Sequence, residues 1–83
     1  QPDEALAILQ RVSDDSARLL GDDSPHTLAS RANVAIALHA AGRTAQAQAQ
    51  RVAVLADAVA LLGEHDDLTR SIRDALAASD PAT

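Results

Sequence analysis

Along the 83 residues, apolar and small side chains recur at spacings of three and four in four blocks, each closed by glycine or a polar turn, so the pattern predicts helices rather than strands. The first helix is expected over 3–20. Leu6, Leu9, Val12, Leu19 and Leu20 form its apolar stripe, Pro2 with Asp3 and Glu4 favours its start, and the polar run 13–16 turns one flank to water. Gly21 follows the last turn, where a left-handed residue commonly stops a helix. The second is expected over 25–41, with Ser24 as N-cap, Pro25 at the first helical position and Gly42 closing it. Between positions 32 and 41 only Asn33 and His39 are polar, the pattern of a helix covered on more than one side. The third, over 44–62, has Thr44 as its expected N-cap and Gly63 as its stop. Val52, Leu55, Ala56, Val59 and Leu62 form one stripe, and Val54, Ala58 and Leu61 a second. Its opening alternation of Gln46, Gln48 and Gln50 with alanine has a strand's period, but Ala and Gln are helix formers with little β preference. The fourth, over 67–79, is capped by Asp66, carries Leu68, Ile72 and Leu76, and ends at Ser79-Asp80-Pro81, which leaves 81–83 as a frayed tail.

The blocks repeat. Leu19-Leu20-Gly21 returns 42 positions later as Leu61-Leu62-Gly63, and the same offset pairs Ala5 with Ala47, Val12 with Val54, Asp15 with Asp57, Thr27 with Thr69, Arg31 with Arg73 and Ala35 with Ala77. Eleven of the 41 aligned pairs are identical, against about five expected from so Ala-rich a composition, at a period within the range of helical solenoids. The first helix matches the third and the second matches the fourth. One domain over 1–83 therefore holds the second helix of one repeat (1–21), a complete repeat (22–63) and the first helix of the next (64–80). The fold class follows: all-α, with antiparallel helix pairs stacked as a right-handed solenoid of four helices.

Composition narrows what such a stack can be. Aromatic residues, Met and Cys are absent and 20 residues are Ala, so the core gains little per side chain, at about 0.8 kcal/mol for each buried methyl. Small residues let helices approach to about 8 Å. The segment alone is expected to be marginally stable or to self-associate, its terminal helices lacking the polar outer faces of capping repeats. A net charge of −5 with seven scattered Arg and no Lys argues against a nucleic-acid footprint or a polybasic membrane patch. No apolar run approaches the roughly 20 residues that span a bilayer, and no signal segment opens the chain, so a cytoplasmic location is expected. Without Cys there are no disulfides, thiolate metal sites or Cys nucleophiles. The chain begins without Met and inside a repeat, as a segment of a longer protein does, and its Arg-only, Ala-rich composition is that of a high-GC bacterium.

The phrase Leu19-Leu20-Gly21-Asp22-Asp23-Ser24-Pro25-His26-Thr27-Leu28, followed by Ser30-Arg31-Ala32-Asn33-Val34-Ala35, Ala41-Gly42-Arg43 and Ala47, resembles the long tetratricopeptide repeat of the kinesin-light-chain type. Arg51, Thr44 and Ala75 depart from its pattern, standing where a large aromatic or aliphatic residue, an aromatic and Asn are usual. A HEAT-like array has a similar period, but the Gly42 turn, Ala35 and Ala47 favour the tetratricopeptide reading. The resemblance implies a scaffold whose first helices line a concave groove for a protein or peptide, within a larger bacterial signalling or regulatory protein, with no enzymatic activity and no cofactor. Carried over, the groove positions are Ala29, Ala32, Asn33, Ile36, His39 and Ala40 on the second helix, and Ser71, Asp74, Ala75 and Ala78 on the fourth. Helical spacing independently places 29, 32, 33, 36, 39 and 40 on one face. Asn33, Ile36 and His39, with Ala29, Ala32, Ser71 and Asp74, are the expected partner-binding residues. Asp74 favours a neutral or basic ligand.

Each of these residues has a plainer reading. The Asn33 amide can hold a bound backbone or be satisfied by a neighbouring helix. His39 can line the groove or simply favour a helix C-terminus. Arg31 and Arg73 are expected to bond acidic turns between helices. Glu64-His65-Asp66-Asp67, and His26 near Asp22 and Asp23, read as helix-capping clusters rather than metal sites, since neither has a ligand spacing. No nucleophile elbow or phosphate loop accompanies the Ser, His and Asp residues. Two classes of function remain: a groove that binds a polypeptide, and a structural or self-associating segment that forms homo-oligomers. Exposure of Asn33 and His39 favours the first, and burial of that face by another chain the second.

Overall fold

Ser24-Pro25 and Asp66-Asp67 lie 42 positions apart, and both start helices in the same way. The Ser24 hydroxyl accepts a hydrogen bond from the His26 N–H at 3.3 Å, and the Asp66 carboxylate accepts from Leu68 N–H at 2.9 Å, each satisfying a donor of the first turn. Gly21 and Gly63 terminate the preceding helices at φ 92° and 89°, a region that costs a side chain-bearing residue about 1–2 kcal/mol. The computed structural model describes residues 2–79. It contains helices α1 (Pro2–Leu20), α2 (Pro25–Ala40), α3 (Thr44–Leu62) and α4 (Asp67–Ser79). The expected Asp80-Pro81 stop and the 81–83 tail lie outside the described residues.

The start of α3 differs from expectation. Thr44 is the first helical residue, and Arg43 occupies the N-cap without a side-chain cap bond. The cause is the turn before it: Gly42 N–H bonds His39 O at 3.0 Å and Arg43 N–H bonds Leu38 O at 2.9 Å, the paired bonds of a Schellman motif. The Arg43 carbonyl then accepts from Ala47 N–H at 2.9 Å, so the first intrahelical bond begins one residue before Thr44.

Each helix packs on the next in order, α1 on α2, α2 on α3 and α3 on α4. This zigzag puts α1 and α3 in one layer and α2 and α4 in the other, within Cα extents of 34 × 32 × 16 Å. Two clusters form the core. Leu6, Val34, Ala37, Leu38 and Ala47 join α1, α2 and α3, and Leu28, Val54, Ala58 and Ile72 join α2, α3 and α4. Ala35, Ala47 and Ala58 are fully buried, as residues at close helix crossings must be small.

The structure corrects the facing of α1. Ser13 and Ser16 are buried at 8% and 7% exposure, whereas Leu19 is 71% exposed and Val12 and Leu20 also face out. The line that meets α2 is Leu6, Leu9, Ser13 and Ser16, because small hydroxyl residues allow close approach and the bulkier stripe rotates outward. On α3, likewise, Ala47, Arg51, Val54 and Ala58 are buried, while Val52, Ala56 and Leu61 are exposed. Both terminal helices carry charged residues on their exposed sides, Arg11, Asp14, Asp15 and Arg18 on α1 and Arg70, Arg73 and Asp74 on α4, and exposed aliphatic residues, Ile8, Val12, Leu19 and Leu20, stand among those of α1. Arg31 bonds across helices, as expected, though its partner is a helical residue rather than a turn: Nη1 donates to Asp57 Oδ2 at 2.7 Å, and Gln50 Nε2 donates to the Arg31 carbonyl at 3.2 Å.

The repeat-related threonines provide a test of this packing. Thr27 is fully buried and its hydroxyl donates to Gly21 O at 2.8 Å. Thr69 is equally buried, but its hydroxyl has no hydrogen-bond partner among the described residues. Thr27→Val should therefore cost about 1–2 kcal/mol, whereas Thr69→Val should be neutral or stabilising, because it removes an unsatisfied buried group. Thermal denaturation of the two variants checks this; equal losses would contradict the difference between the two turns.

Candidate functional site

α2 is covered on both flanks, by α1 and α3, yet one strip of it stays open. Ile36 is 59% exposed, and Asn33, His39 and Ala40 are exposed beside it, with Ala29 and Ala32 half-buried. The spacing that placed these six residues on one face corresponds to this strip. On α4, Ser71, Asp74 and Ala78 are exposed and Ala75 is half-buried.

Between α2 and α4, above α3, lies a shallow cleft of about 40 Å³ lined by Ala32, Ile36, Arg51, Ser71, Ile72 and Ala75. It brings together four of the groove positions, Ala32 and Ile36 from one helix and Ser71 and Ala75 from the other. Asn33, His39, Ala29 and Asp74 do not line it. Asn33 and His39 stand exposed on the same strip of α2, and Asp74 precedes Ala75 on α4. The exposed Asn33 amide leaves donor and acceptor capacity for a ligand. Asp74 adds a carboxylate beside the cleft.

Arg51 belongs to this site although spacing alone did not assign it there. It is buried at 8% exposure on α3 and forms part of the floor of the cleft. The signal in the sequence was its departure from the large apolar residue usual at that position: a long cationic side chain lies beneath Ala32 and Ala75, beside Ile72.

A larger, more polar cleft of about 350 Å³ opens on the opposite face, between α1 and α3, lined by Gln10, Ser13, Asp14, Val34 and Gln50. Size favours it; surface chemistry favours the α2/α4 side, where an exposed aliphatic anchor, Ile36, stands beside an amide and an imidazole, the combination of apolar and polar contacts that recognition surfaces use. Among the described residues, no group of three His, Asp or Glu side chains converges to hold a metal ion. Asp66 serves the start of α4 through its bond to Leu68 N–H. None of the described helices is long and apolar enough to cross a membrane.

An all-α stack of antiparallel pairs repeating every 42 residues is a helical-repeat architecture. A tetratricopeptide-repeat family model matches residues 1–50, and the chain belongs to that family. No curated protein and no solved structure matches it. Tetratricopeptide repeats in general mediate protein–protein interaction and are typically non-enzymatic.

Proposed function

We propose that the chain is a scaffold segment that binds a protein or peptide along the α2/α4 face. The observation that carries this reading is the exposed strip Asn33, Ile36 and His39 running beside the cleft between Ala32 and Ala75. Ile36 supplies an apolar anchor, Asn33 pairs with a ligand's main chain, and Ala29, Ala32 and Ala75 leave room for that chain to come close. Asp74 on the rim, within a chain of net charge −5, selects a neutral or basic polypeptide over an acidic one. The 42-residue period and the Leu-Leu-Gly-Asp-Asp-Ser-Pro turn support the kinesin-light-chain type of repeat. The Arg-only, Ala-rich composition supports a bacterial origin, and the resemblance to that type of repeat implies a cytoplasmic signalling or regulatory protein.

Affinity capture with the full-length protein tests the reading, comparing wild type with Asn33→Ala and His39→Ala after circular dichroism confirms equal helicity. The partner captured by wild type should be lost or reduced with Asn33→Ala and weakened with His39→Ala. It should be retained with Gln10→Ala, which alters the opposite cleft. Retention in both groove variants with loss in Gln10→Ala would place binding on the α1/α3 side.

A further inference from the structure

The polar cleft between α1 and α3, at about 350 Å³, falls within the range of about 300–1,000 Å³ that small-molecule sites occupy. It is bounded by α1, α2 and α3 alone. Its polarity is not a requirement of the repeat: Gln10, Ser13 and Asp14 line it from α1, and the residues 42 positions on are Val52, Leu55 and Ala56. Nor is it only a solvated surface. Ser13 is 8% exposed, and its hydroxyl makes no hydrogen bond with the described residues, although a buried hydroxyl normally has a partner. Asp14 is exposed and has no ion-pair partner among the described residues, since Arg18 engages Asp15, Arg31 engages Asp57 and Arg43 engages Asp3. Across the cleft, the Gln50 amide nitrogen donates to the Arg31 carbonyl at 3.2 Å, which leaves its oxygen to accept. Val34 of α2, 4% exposed, lines the space between them.

We propose that this cleft binds a small organic cation carrying a guanidinium group, independently of the polypeptide assigned to the α2/α4 face. The polar groups that converge on it are acceptors: the Asp14 carboxylate, the Gln50 and Gln10 amide oxygens and the Ser13 hydroxyl oxygen. Only one of them is charged, so the complementary ligand is a monovalent cation with several N–H donors. A guanidinium meets that description better than an ammonium, because its five donors lie fanned out in one plane and can reach both walls of a cleft, where an ammonium's three radiate from one point. Its weak hydration also lowers the cost of leaving water. The lining residues gather around one volume instead of running along a helix, which suits a compact ligand rather than an extended chain. Because Asp14 is solvated, the contact with it is screened and binding is reversible.

Titration of the isotopically labelled 83-residue chain with propylguanidinium, followed by amide chemical shifts, tests this. Saturable changes should centre on Gln10, Ser13, Asp14 and Gln50. Propylammonium should bind more weakly, and neutral propylurea, which keeps the shape without the charge, should not saturate. Asp14→Asn should weaken propylguanidinium binding about tenfold, through loss of a charge-assisted bond, while Asp15→Asn, one residue outside the cleft, should change it less than twofold. The variant Gln10→Val/Asp14→Ala gives these two positions the residues the chain itself carries 42 places on. Both sites are exposed, so it should keep its helicity by circular dichroism and lose saturable binding. No saturable change at the four residues would overturn the proposal, as would equal binding of propylammonium or propylurea, or an Asp14→Asn effect no larger than that of Asp15→Asn. A capped Gly-Arg-Gly peptide carries the same group on a polypeptide; binding of that peptide without binding of propylguanidinium would overturn the small-ligand assignment.

Discussion

Leu28→Ala should destabilise the stack by about 3 kcal/mol, within the range for deleting a buried leucine side chain and leaving a cavity. Leu28 has no solvent exposure and packs with Val54, Ala58 and Ile72, so it ties α2 to α3 and, through them, to α4. Two of those neighbours are short side chains on helix backbones already in close contact, and they cannot move in to fill the space. A domain of this length has about 4–12 kcal/mol of total stability by the usual per-residue scale, so the loss is a large fraction of it. The midpoint of thermal unfolding should fall by roughly 15 °C. Ile36→Ala, on the exposed strip, should leave it nearly unchanged. A Leu28→Ala shift no larger than that of Ile36→Ala would contradict the assignment of the second core cluster.

Ile36→Asp should separate folding from binding in the opposite sense. The side chain is 59% exposed, so an aspartate there remains hydrated in the free protein and helicity should persist. In a complex along the α2/α4 face the same carboxylate would lose its water without a partner, and a central anchor is commonly worth about 2 kcal/mol or more. Affinity for the captured partner should fall roughly thirtyfold. Isothermal titration with the purified partner measures this, with Gln10→Ala as the comparison. Binding unaffected by Ile36→Asp would mean that Ile36 is merely an exposed aliphatic residue.

The fold was legible in the sequence where backbone chemistry speaks through single residues. Gly21 and Gly63, Ser24-Pro25 and Asp66 each leave a stop or cap signal, and the 42-residue offset orders the helices before any packing is known. Thr44 misled because its hydroxyl has the chemistry of a cap, while the preceding Schellman turn, a matter of backbone geometry, had already handed the first helical bond to Arg43. Facing was harder to read. Hydrophobicity marks Val12, Leu19 and Val52 as core, yet the residues buried between the helices include Ser13, Ser16, Ala47 and Ala58, which carry almost no apolar signal.

The exposed strip of α2 was legible for a different reason: one continuous helix fixes the angular positions of Asn33, Ile36 and His39 by spacing alone. The resemblance carried Ser71 and Ala75 onto α4, and both line the cleft there. Arg51 came from neither source, because its position depends on where α3 passes beneath α2 and α4. The polar α1/α3 cleft also needs three helices to exist, and no local pattern encodes it.

Amide chemical-shift mapping decides most directly between the two clefts, with the isotopically labelled chain titrated by the partner that affinity capture identifies. Binding along the α2/α4 face predicts the largest changes at Ala32, Asn33, Ile36, Ser71 and Ala75. Changes centred instead on Gln10, Ser13, Asp14 and Gln50, with the Ile36 amide unmoved, would contradict it.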